Sequence, residues 1–235
     1  MKIKILVIFL SMPVLLQGQK YYSAFAQMDA GFTVTYGDVK RYDFAPATNG
    51  YIGIQPGVQA KVGVFMNEYT GMQIDAHFSM LSGHNPEKNL QFLSRNGSAS
   101  VKFKMSFNSF IEDSFHERLA GRLKAFFDFG YGMLFYDTEV QKFKKQEPVE
   151  LDEDSYRSGR SSGKTGVFPI ALTVMYKLNK YDIAFWQRQK DRIYLTLSGG
   201  LHFTGSDLLD GFEGRDFGND TYGFYSVGVA YFFGR

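Results

Sequence analysis

The sequence predicts an all-β protein, an eight-stranded antiparallel up-and-down transmembrane β-barrel. The main observation is that eight segments alternate large apolar residues with small or polar ones, the period of a strand whose two faces meet different surroundings. The composition agrees, because aromatic residues make up 17 % of the chain and 25 glycines accompany only 6 prolines. After the N-terminal segment, no run of about 18 apolar residues predicts a helical membrane span.

Residues 1–18 are predicted to be a signal peptide, followed by a barrel domain at 19–235. Lys2 and Lys4 precede an apolar run at 5–16 that is too short to cross a bilayer. Cleavage after Gly18 is preferred, and Ala26 marks an alternative cleavage point. Removing 1–18 takes away two lysines and no acid, which leaves 24 basic residues against 24 acidic ones. This balance gives no reason to expect a nucleic-acid partner.

The first four strands are predicted at 24–37, 51–65, 69–81 and 96–110. Each sets an apolar face against a polar face, as Met28 and Phe32 oppose Asp29 in the first strand. Long polar loops are predicted at 37–50 and 82–95. A very short turn at Asn67-Glu68 joins the second and third strands.

The last four strands are predicted at 123–136, 165–178, 192–204 and 220–235. The connectors at 109–122 and 179–191 break the alternation, and long polar loops are predicted at 137–164 and 205–219. An even number of strands allows the last strand to pair with the first, which leaves no unpaired edge in lipid. With the N-terminus in the periplasm, the long loops would lie outside the cell.

The apolar faces are predicted to point outward, because a narrow eight-stranded interior has little room beyond small side chains such as Gly and Ser. The polar faces would then form a polar network in the lumen. Its members are Asp29, Lys61, Asp75, His77, Lys102, Lys104 and His202. Unpaired burial of charge is costly, so we expect these aspartates and lysines to form ion pairs that plug the lumen.

Several segments resemble small barrels of Bacteroidota outer membranes. They are Tyr36 to Lys40, Asp137 to Val140 and Tyr225 to Gly228. Over nearly the whole mature chain the resemblance is to the N-terminal barrel of OmpA-like proteins, without their peptidoglycan-binding domain. Phe203 to Gly211 resembles small barrels associated with type IX secretion. The resemblance also implies a C-terminal assembly signal, read by the barrel-assembly machinery during insertion. It consists of Ser226, Gly228, Tyr231 and Phe233.

No catalytic, cofactor or metal site is predicted. The chain has no Cys, which excludes disulfides and thiolate chemistry. The four histidines are His77, His84, His116 and His202. A histidine beside Asp29 or Asp75 fits a polar plug better than an active site, because nothing in the sequence supplies a substrate position. The acidic run at 150–154 does not match the spacing of a calcium loop.

The predicted function is that of a non-enzymatic structural or accessory subunit of a cell-envelope complex, located in the outer membrane of a Gram-negative bacterium. Membrane lipid and other envelope proteins are the expected partners. One alternative is a component of type IX secretion or gliding machinery that docks periplasmic partners; another is an outer-membrane enzyme using lumen His and Asp groups. The candidate docking residues are Trp186, Arg188, Lys190 and Arg192. Strand extension with an interfacial Trp explains the same segment.

Overall fold

The structure, a computed structural model, describes residues 23–36, 54–67, 69–85, 90–107, 122–142, 159–178, 192–206 and 220–233. Eight antiparallel strands run through these ranges and close into a barrel in chain order. Their bounds are β1 Ser23–Tyr36, β2 Ile54–Phe65, β3 Thr70–Asn85, β4 Leu90–Ser106, β5 Leu123–Lys142, β6 Gly159–Lys177, β7 Ile193–Thr204 and β8 Thr221–Phe233. Across these ranges, no helix has the length and hydropathy that a membrane crossing needs. The predicted fold class is confirmed.

The barrel closes where β1 pairs with β8. The pairing runs from Ala24 opposite Phe233 to Tyr36 opposite Thr221, as the sequence predicts for the first and last strands. We call the end where β1 begins and β8 finishes the proximal end, and the opposite end the distal end. Because no strand is left without a neighbour, the backbone of the ring is satisfied without solvent.

The outer face of the barrel is apolar around the whole circumference. Each strand contributes exposed large side chains, and Met28 is the most exposed of them at 73 %. Representative residues are Met28, Val62, Ile74, Val101, Tyr131, Leu172, Leu197 and Val227, one from each strand in order. We call this surface the apolar belt. It confirms the outward direction predicted from the alternation.

Two predicted loops are shorter than the sequence indicates. β3 extends to Asn85 and β4 begins at Leu90, so most of 82–95 is strand; likewise β5 reaches Lys142 and β6 begins at Gly159, within the predicted loop 137–164. A strand outside an apolar layer needs backbone pairing but no apolar face, so polarity is a poor guide to its end. Strands β3 to β6 therefore project past the ring at the distal end.

The projection begins where β3 separates from β2. Their pairing stops at Gly57 opposite Ser79, next to Pro56, which has no backbone N–H to offer a neighbouring strand. Beyond that point β3 leans toward the interior, where the Thr33 hydroxyl donates a hydrogen bond to the carbonyl oxygen of Met80. This hydrogen bond links β3 directly to β1 at the distal end, where β2 no longer pairs with β3.

Candidate functional site in the barrel interior

The proximal third of the interior is filled by aromatic side chains. The centroid of the Phe65 ring lies 5.4 Å from that of Phe25, 5.3 Å from that of Phe126 and 5.8 Å from that of Phe232. Tyr194 adds a ring whose centroid lies 4.8 Å from that of Phe232. With Met175 and Ala230 these residues form the proximal aromatic cluster. Sequence reasoning missed it, since Gly and Ser were expected to fill this space.

Three ion pairs lie midway along the interior, each between two neighbouring strands. Lys61 Nζ lies 2.8 Å from an Asp29 carboxylate oxygen, and Lys102 Nζ lies 2.9 Å from one of Asp75. Lys104 Nζ lies 2.7 and 3.0 Å from the two oxygens of Asp128. All six side chains are buried, so the three positive and three negative charges compensate one another inside the wall.

Asp128 is the member of this layer that sequence reasoning missed. It is paired directly with Lys104 across β4 and β5, in a stretch where the aromatics at 127 and 129 dominate the pattern. The alternation of β5 does place residue 128 on the inner face. Only the register of β4 against β5 brings its carboxylate to Lys104, and that register is not visible in the sequence.

Neutral donors complete the hydrogen bonding of the carboxylates. The Gln27 side-chain amide donates to both Asp29 oxygens at 2.9 and 2.8 Å, and the Thr196 hydroxyl donates to one of them at 2.7 Å. Asp75 accepts hydrogen bonds from Gln59 and Ser100. These contacts come from β1, β2, β3, β4 and β7, so the layer links five of the eight strands along the inner wall.

Two histidines lie on the distal side of the ion pairs. The ring centroids of His77 and His202 are 5.2 Å apart, and the His202 ring stacks on Tyr222 at 4.5 Å. Phe224 contacts His77 with a centroid distance of 4.4 Å. His77 Nε2 and His202 Nδ1 have no hydrogen-bond partner among the residues that the structure describes. The side chain of His84, and all of His116, lie outside those residues.

An apolar cluster closes the interior above the histidines. Its members are Leu81, Phe92, Leu134, Tyr136, Val140, Val167 and Tyr222. The histidine rings are only 1 % and 4 % exposed, because this cluster lies on one side of them and the ion pairs lie on the other. A general acid or base needs a substrate within hydrogen-bond reach, and these rings are enclosed by protein. The arrangement therefore favours a plug over a catalytic site.

The described ranges do not assemble a metal site. Among them, no three His, Asp or Glu side chains converge as the ligands of a metal ion would. The acidic run at 150–154 falls outside the described residues. Lys61 and Lys102 also place positive charge beside Asp29 and Asp75, which disfavours a cation there.

The four residues of the expected assembly signal are divided between the two faces of β8. Ser226 is buried in the interior, and Gly228 lies opposite Asp29 in the seam with β1. Tyr231 and Phe233 follow the outward alternation, and their rings meet edge to face with centroids 4.9 Å apart. The outward pair lies at the proximal border of the apolar belt, where interfacial aromatics are expected.

Most of the expected docking segment falls outside the described residues. Trp186, Arg188 and Lys190 belong to that part, as does the predicted signal peptide. Arg192 is described and lies half-buried immediately before β7.

The projecting strands carry an exposed ion pair at the distal end. Arg160 Nε donates to an Asp137 carboxylate oxygen at 2.7 Å, and the hydrogen bond from Arg160 holds the pKa of Asp137 below its usual range. Such a pair stabilises the fold at neutral pH and loses its contribution as the pH falls through the lowered pKa. Because the Arg160 side chain is 71 % exposed and that of Asp137 is 32 % exposed, water screens the pair and its contribution is small.

Comparisons with known proteins agree on the fold. Neisserial surface protein A (NspA) shares 11 % identity, with a TM-score of 0.50, and the match covers 91 % of this chain and all of that one. A major outer membrane protein from Thermus thermophilus shares 10 % identity, with the same TM-score and the same coverage. No protein-family model matches the chain, and no curated protein matches it. These likenesses establish the barrel architecture that the strand pairing shows.

Proposed function

We propose that this chain is an exported outer-membrane β-barrel with a closed lumen that serves as a non-enzymatic structural subunit of an envelope assembly. One observation carries the proposal: the barrel is apolar outside and ion-paired inside, which is the reverse of a soluble barrel. An apolar belt on every strand would aggregate in water, and a bilayer buries it. The N-terminal basic and apolar segment supports export.

The proposed orientation places the proximal end in the periplasm. The start of β1, the end of β8 and the tight β2–β3 turn lie at that end, and bacterial single-chain barrels have short turns on their periplasmic side. The other two connections at the proximal end are as long as most of the distal ones, so this orientation rests on the β2–β3 turn and the strand ends. The resemblance to Bacteroidota barrels supports that origin as a prediction of the sequence. The C-terminal assembly role of Tyr231 and Phe233 is part of the proposal, supported by their outward position at the end of β8.

A structural role is favoured over an enzymatic one by the enclosure of the histidines. His77 and His202 have aromatic neighbours, and the carboxylates of Asp29 and Asp75 are engaged by lysines. A hydrolase using these groups would have to expel the ion-pair layer or the distal cluster to admit a substrate. A component of type IX secretion or gliding machinery is a special case of the structural role, and it stays a prediction from the resemblance.

The first expected result concerns the lumen. Purified protein inserted into planar bilayers should show no stable large channel, because three ion pairs and two clusters of buried apolar side chains fill the interior. The same protein should fractionate with the outer membrane and migrate faster on gels before heating than after. Stable large conductance would overturn the closed lumen, and absence from the membrane fraction would overturn the localisation.

The second expected result concerns partners. Crosslinking in intact envelopes should capture other envelope proteins on the wild-type chain. Replacing Trp186, Arg188 and Lys190 together by alanine should remove those products if the 179–191 connector docks a periplasmic partner. Heat-dependent gel migration of the variant checks that the barrel is folded. Folded variant barrels that retain every crosslinked product would contradict the docking role of this connector.

A further inference from the structure

The distal part of β6 is an open edge of the sheet. β6 stays paired with β5 as far as its distal end, whereas its pairing with β7 finishes at Val167 opposite Thr204. One further hydrogen bond follows, from the Gly205 N–H to the Gly166 carbonyl oxygen at 2.9 Å. In the described part of the chain, no strand pairs with 159–165 on the side of β7. We call 159–165 the β6 edge.

The chain that follows β7 continues toward β8 instead of along the β6 edge. The Asp220 N–H donates a hydrogen bond to the Ser206 carbonyl oxygen at 3.2 Å, and the Thr204 hydroxyl donates to the Asp220 carbonyl oxygen at 2.7 Å. Lys164, on the β6 edge, lies opposite Phe135 of the apolar belt. The edge therefore begins at the border of the belt and leads away from the ring.

The backbone groups that face the open side of β6 can be assigned. Because the Gly166 carbonyl accepts a hydrogen bond from the chain after β7, residue 166 directs its backbone groups to that side. Successive residues of a strand direct these groups to alternate sides, so those of Arg160, Ser162 and Lys164 face the same way. The β6 edge thus offers the N–H donors and carbonyl acceptors of these residues, spread over roughly 13 Å at the usual rise per residue.

The opposite edge of the projection, on β3, is partly engaged. The Met80 carbonyl oxygen accepts a hydrogen bond from the Thr33 hydroxyl, and the Ser82 hydroxyl accepts one from the Gln55 side-chain amide at 2.8 Å. Side chains of β1 and β2 thus hold this part of β3, although β2 no longer pairs with it. On the open side of β6, the described residues make no comparable contact with the edge. An added strand therefore meets less obstruction at β6.

The side chains of the β6 edge favour an acidic strand. Its outward side chains are those of Arg160, Ser162 and Lys164, all exposed, and 159–165 contains no acidic residue. Arg160 is hydrogen-bonded to Asp137, one strand back on β5, yet its side chain stays 71 % exposed. Lys164 forms no ion pair with any residue that the structure describes. Opposite charges in directly facing positions of neighbouring strands attract.

A second copy of β6 is a poor occupant of the edge. Antiparallel pairing about Ser162 would set Arg160 of each copy opposite Lys164 of the other, and like charges in facing positions repel. Cations on an exposed edge strand are a common protection against such pairing. They do not repel a strand whose facing residues are acidic, so the edge discriminates between strands by charge.

We propose that the β6 edge binds an acidic, extended segment of a partner protein by adding it as a strand to the projecting sheet. Backbone hydrogen bonds supply the affinity in this mode of recognition, and side chains at alternate positions supply the selectivity. Acidic residues at every second position would face Arg160, Ser162 and Lys164. Because the edge lies at the distal end, the partner comes from outside the cell; this last point alone rests on the orientation proposed above.

Peptide binding to the folded full chain in detergent micelles tests the edge. The probe is a fluorescent heptapeptide of alternating Val and Glu, and binding is measured by fluorescence anisotropy. It should bind at least about tenfold more tightly than the same peptide with N-methylated glutamate amides, which cannot donate to the edge carbonyls. A peptide with Lys in place of Glu should also bind at least about tenfold more weakly.

Each of these comparisons can contradict the proposal. Equal binding of the N-methylated peptide would overturn strand addition, and equal binding of the Lys peptide would overturn the preference for an acidic partner. No binding of the Glu peptide to the folded chain would overturn both.

A proline substitution tests the backbone of the edge directly. Ser162→Pro removes an edge N–H that β5 does not use, so the barrel should fold and the Glu peptide should bind at least about tenfold more weakly. The control is His84→Pro on β3, an even number of residues from Met80, whose carbonyl faces away from β4. It removes a donor from the opposite edge and should leave peptide binding unchanged. Heat-dependent gel migration checks folding, and unchanged binding by folded Ser162→Pro would contradict the proposal.

A charge substitution tests the selectivity. Lys164→Gln should weaken binding of the Glu peptide about threefold, because it removes the unpaired cation of the edge. Arg95→Gln removes an exposed cation from β4, which is not an edge strand of the projection, and should change little. Equal effects of the two substitutions would mean that the edge does not read the charge of the added strand.

Other occupants of the edge give different results. A concentration-dependent dimer that is lost in Ser162→Pro would assign the edge to a second copy. Peptide binding that appears only after the four acidic residues of 207–219 are neutralised would assign it to that segment of the same chain. Either result would overturn the proposal. Failure of the chain to fractionate with the outer membrane would count against the proposed function instead, since the edge is tested in detergent.

Discussion

Replacement of Asp128 by alanine is expected to lower the free energy of unfolding by about 3–5 kcal/mol, because it leaves the Lys104 ammonium buried without its counter-charge. Lys104 is fully buried, and its Nζ lies 2.7 Å from the nearer Asp128 oxygen. The rings of Phe126 and Phe25, with centroids 4.8 and 5.6 Å from Nζ, give weaker stabilisation than a carboxylate. Urea titration of the barrel in detergent, followed by heat-dependent gel migration, measures the change.

A compensating double variant separates the lost partner from lost packing. Lys104→Met with Asp128→Leu removes both charges and restores apolar volume, so most of the stability should return. Asp137→Ala serves as the control near the surface, and its effect should be much smaller than that of Asp128→Ala, since water screens the pair with Arg160. If Asp128→Ala costs no more than Asp137→Ala, the ion-pair layer does not stabilise the interior as argued.

The sequence predicted which way each strand faces more accurately than what the interior contains. Met28 and Asp29 are neighbours with opposite environments, and their alternation places one in the belt and the other in the lumen. The same alternation directs Phe25, Phe126 and Phe232 inward, yet large aromatics on the inner face were not expected in so narrow a barrel. They fit because they stack at the proximal end, where glycines leave space: a Cβ at Gly63 would lie 2.6 Å from the Phe25 ring.

Strand ends were the least predictable feature for a related reason. Within the belt, lipid and lumen impose opposite preferences on successive residues, so the pattern is strong. Beyond it, residues such as Ser94 and Thr138 are held by a cross-strand hydrogen bond between their hydroxyls at 2.6 Å. A strand segment held by such polar side chains has the same composition as a polar loop. Hence β4 and β5 were predicted to begin too late and to finish too early, respectively.

Predicting the candidate site requires the register between strands as well as the direction in which each side chain points. Lys61 lies directly opposite both Gln27 and Asp75 in the strand pairing, yet its ammonium contacts Asp29, two residues further along β1. The Asp75 carboxylate instead forms its ion pair with the ammonium of Lys102 on β4. The twist and tilt of the closed sheet decide whether a lysine contacts the carboxylate directly opposite or the one diagonal to it. Alternation along a single strand does not specify twist or tilt.

Gly228 occupies the point where this network crosses the barrel seam. It lies on β8 between Asp29 on β1 and Thr196 on β7, and it is paired with both. The Thr196 hydroxyl nonetheless reaches the Asp29 carboxylate at 2.7 Å, so the carboxylate passes over the glycine. A Cβ at Gly228 would lie 2.8 Å from Asp29 Cα and would also collide with the Asp29 carboxylate and the Met28 carbonyl. The close approach requires glycine.

Gly228→Val is therefore expected to destabilise the barrel by about 3–5 kcal/mol, because overpacking adds to the displacement of the carboxylate from Lys61 and Thr196. Gly97→Val is the matched control. Gly97 faces outward on β4, where a Cβ would meet only the Phe78 ring at ordinary contact distances of 3.4 and 3.5 Å, so the valine should be tolerated. The test is to compare the urea midpoints of unfolding of the two variants, and the midpoint of Gly228→Val should be clearly lower. Equal midpoints would mean that the seam accommodates a side chain at 228, and that the Asp29 network does not depend on the closeness of β1 and β8.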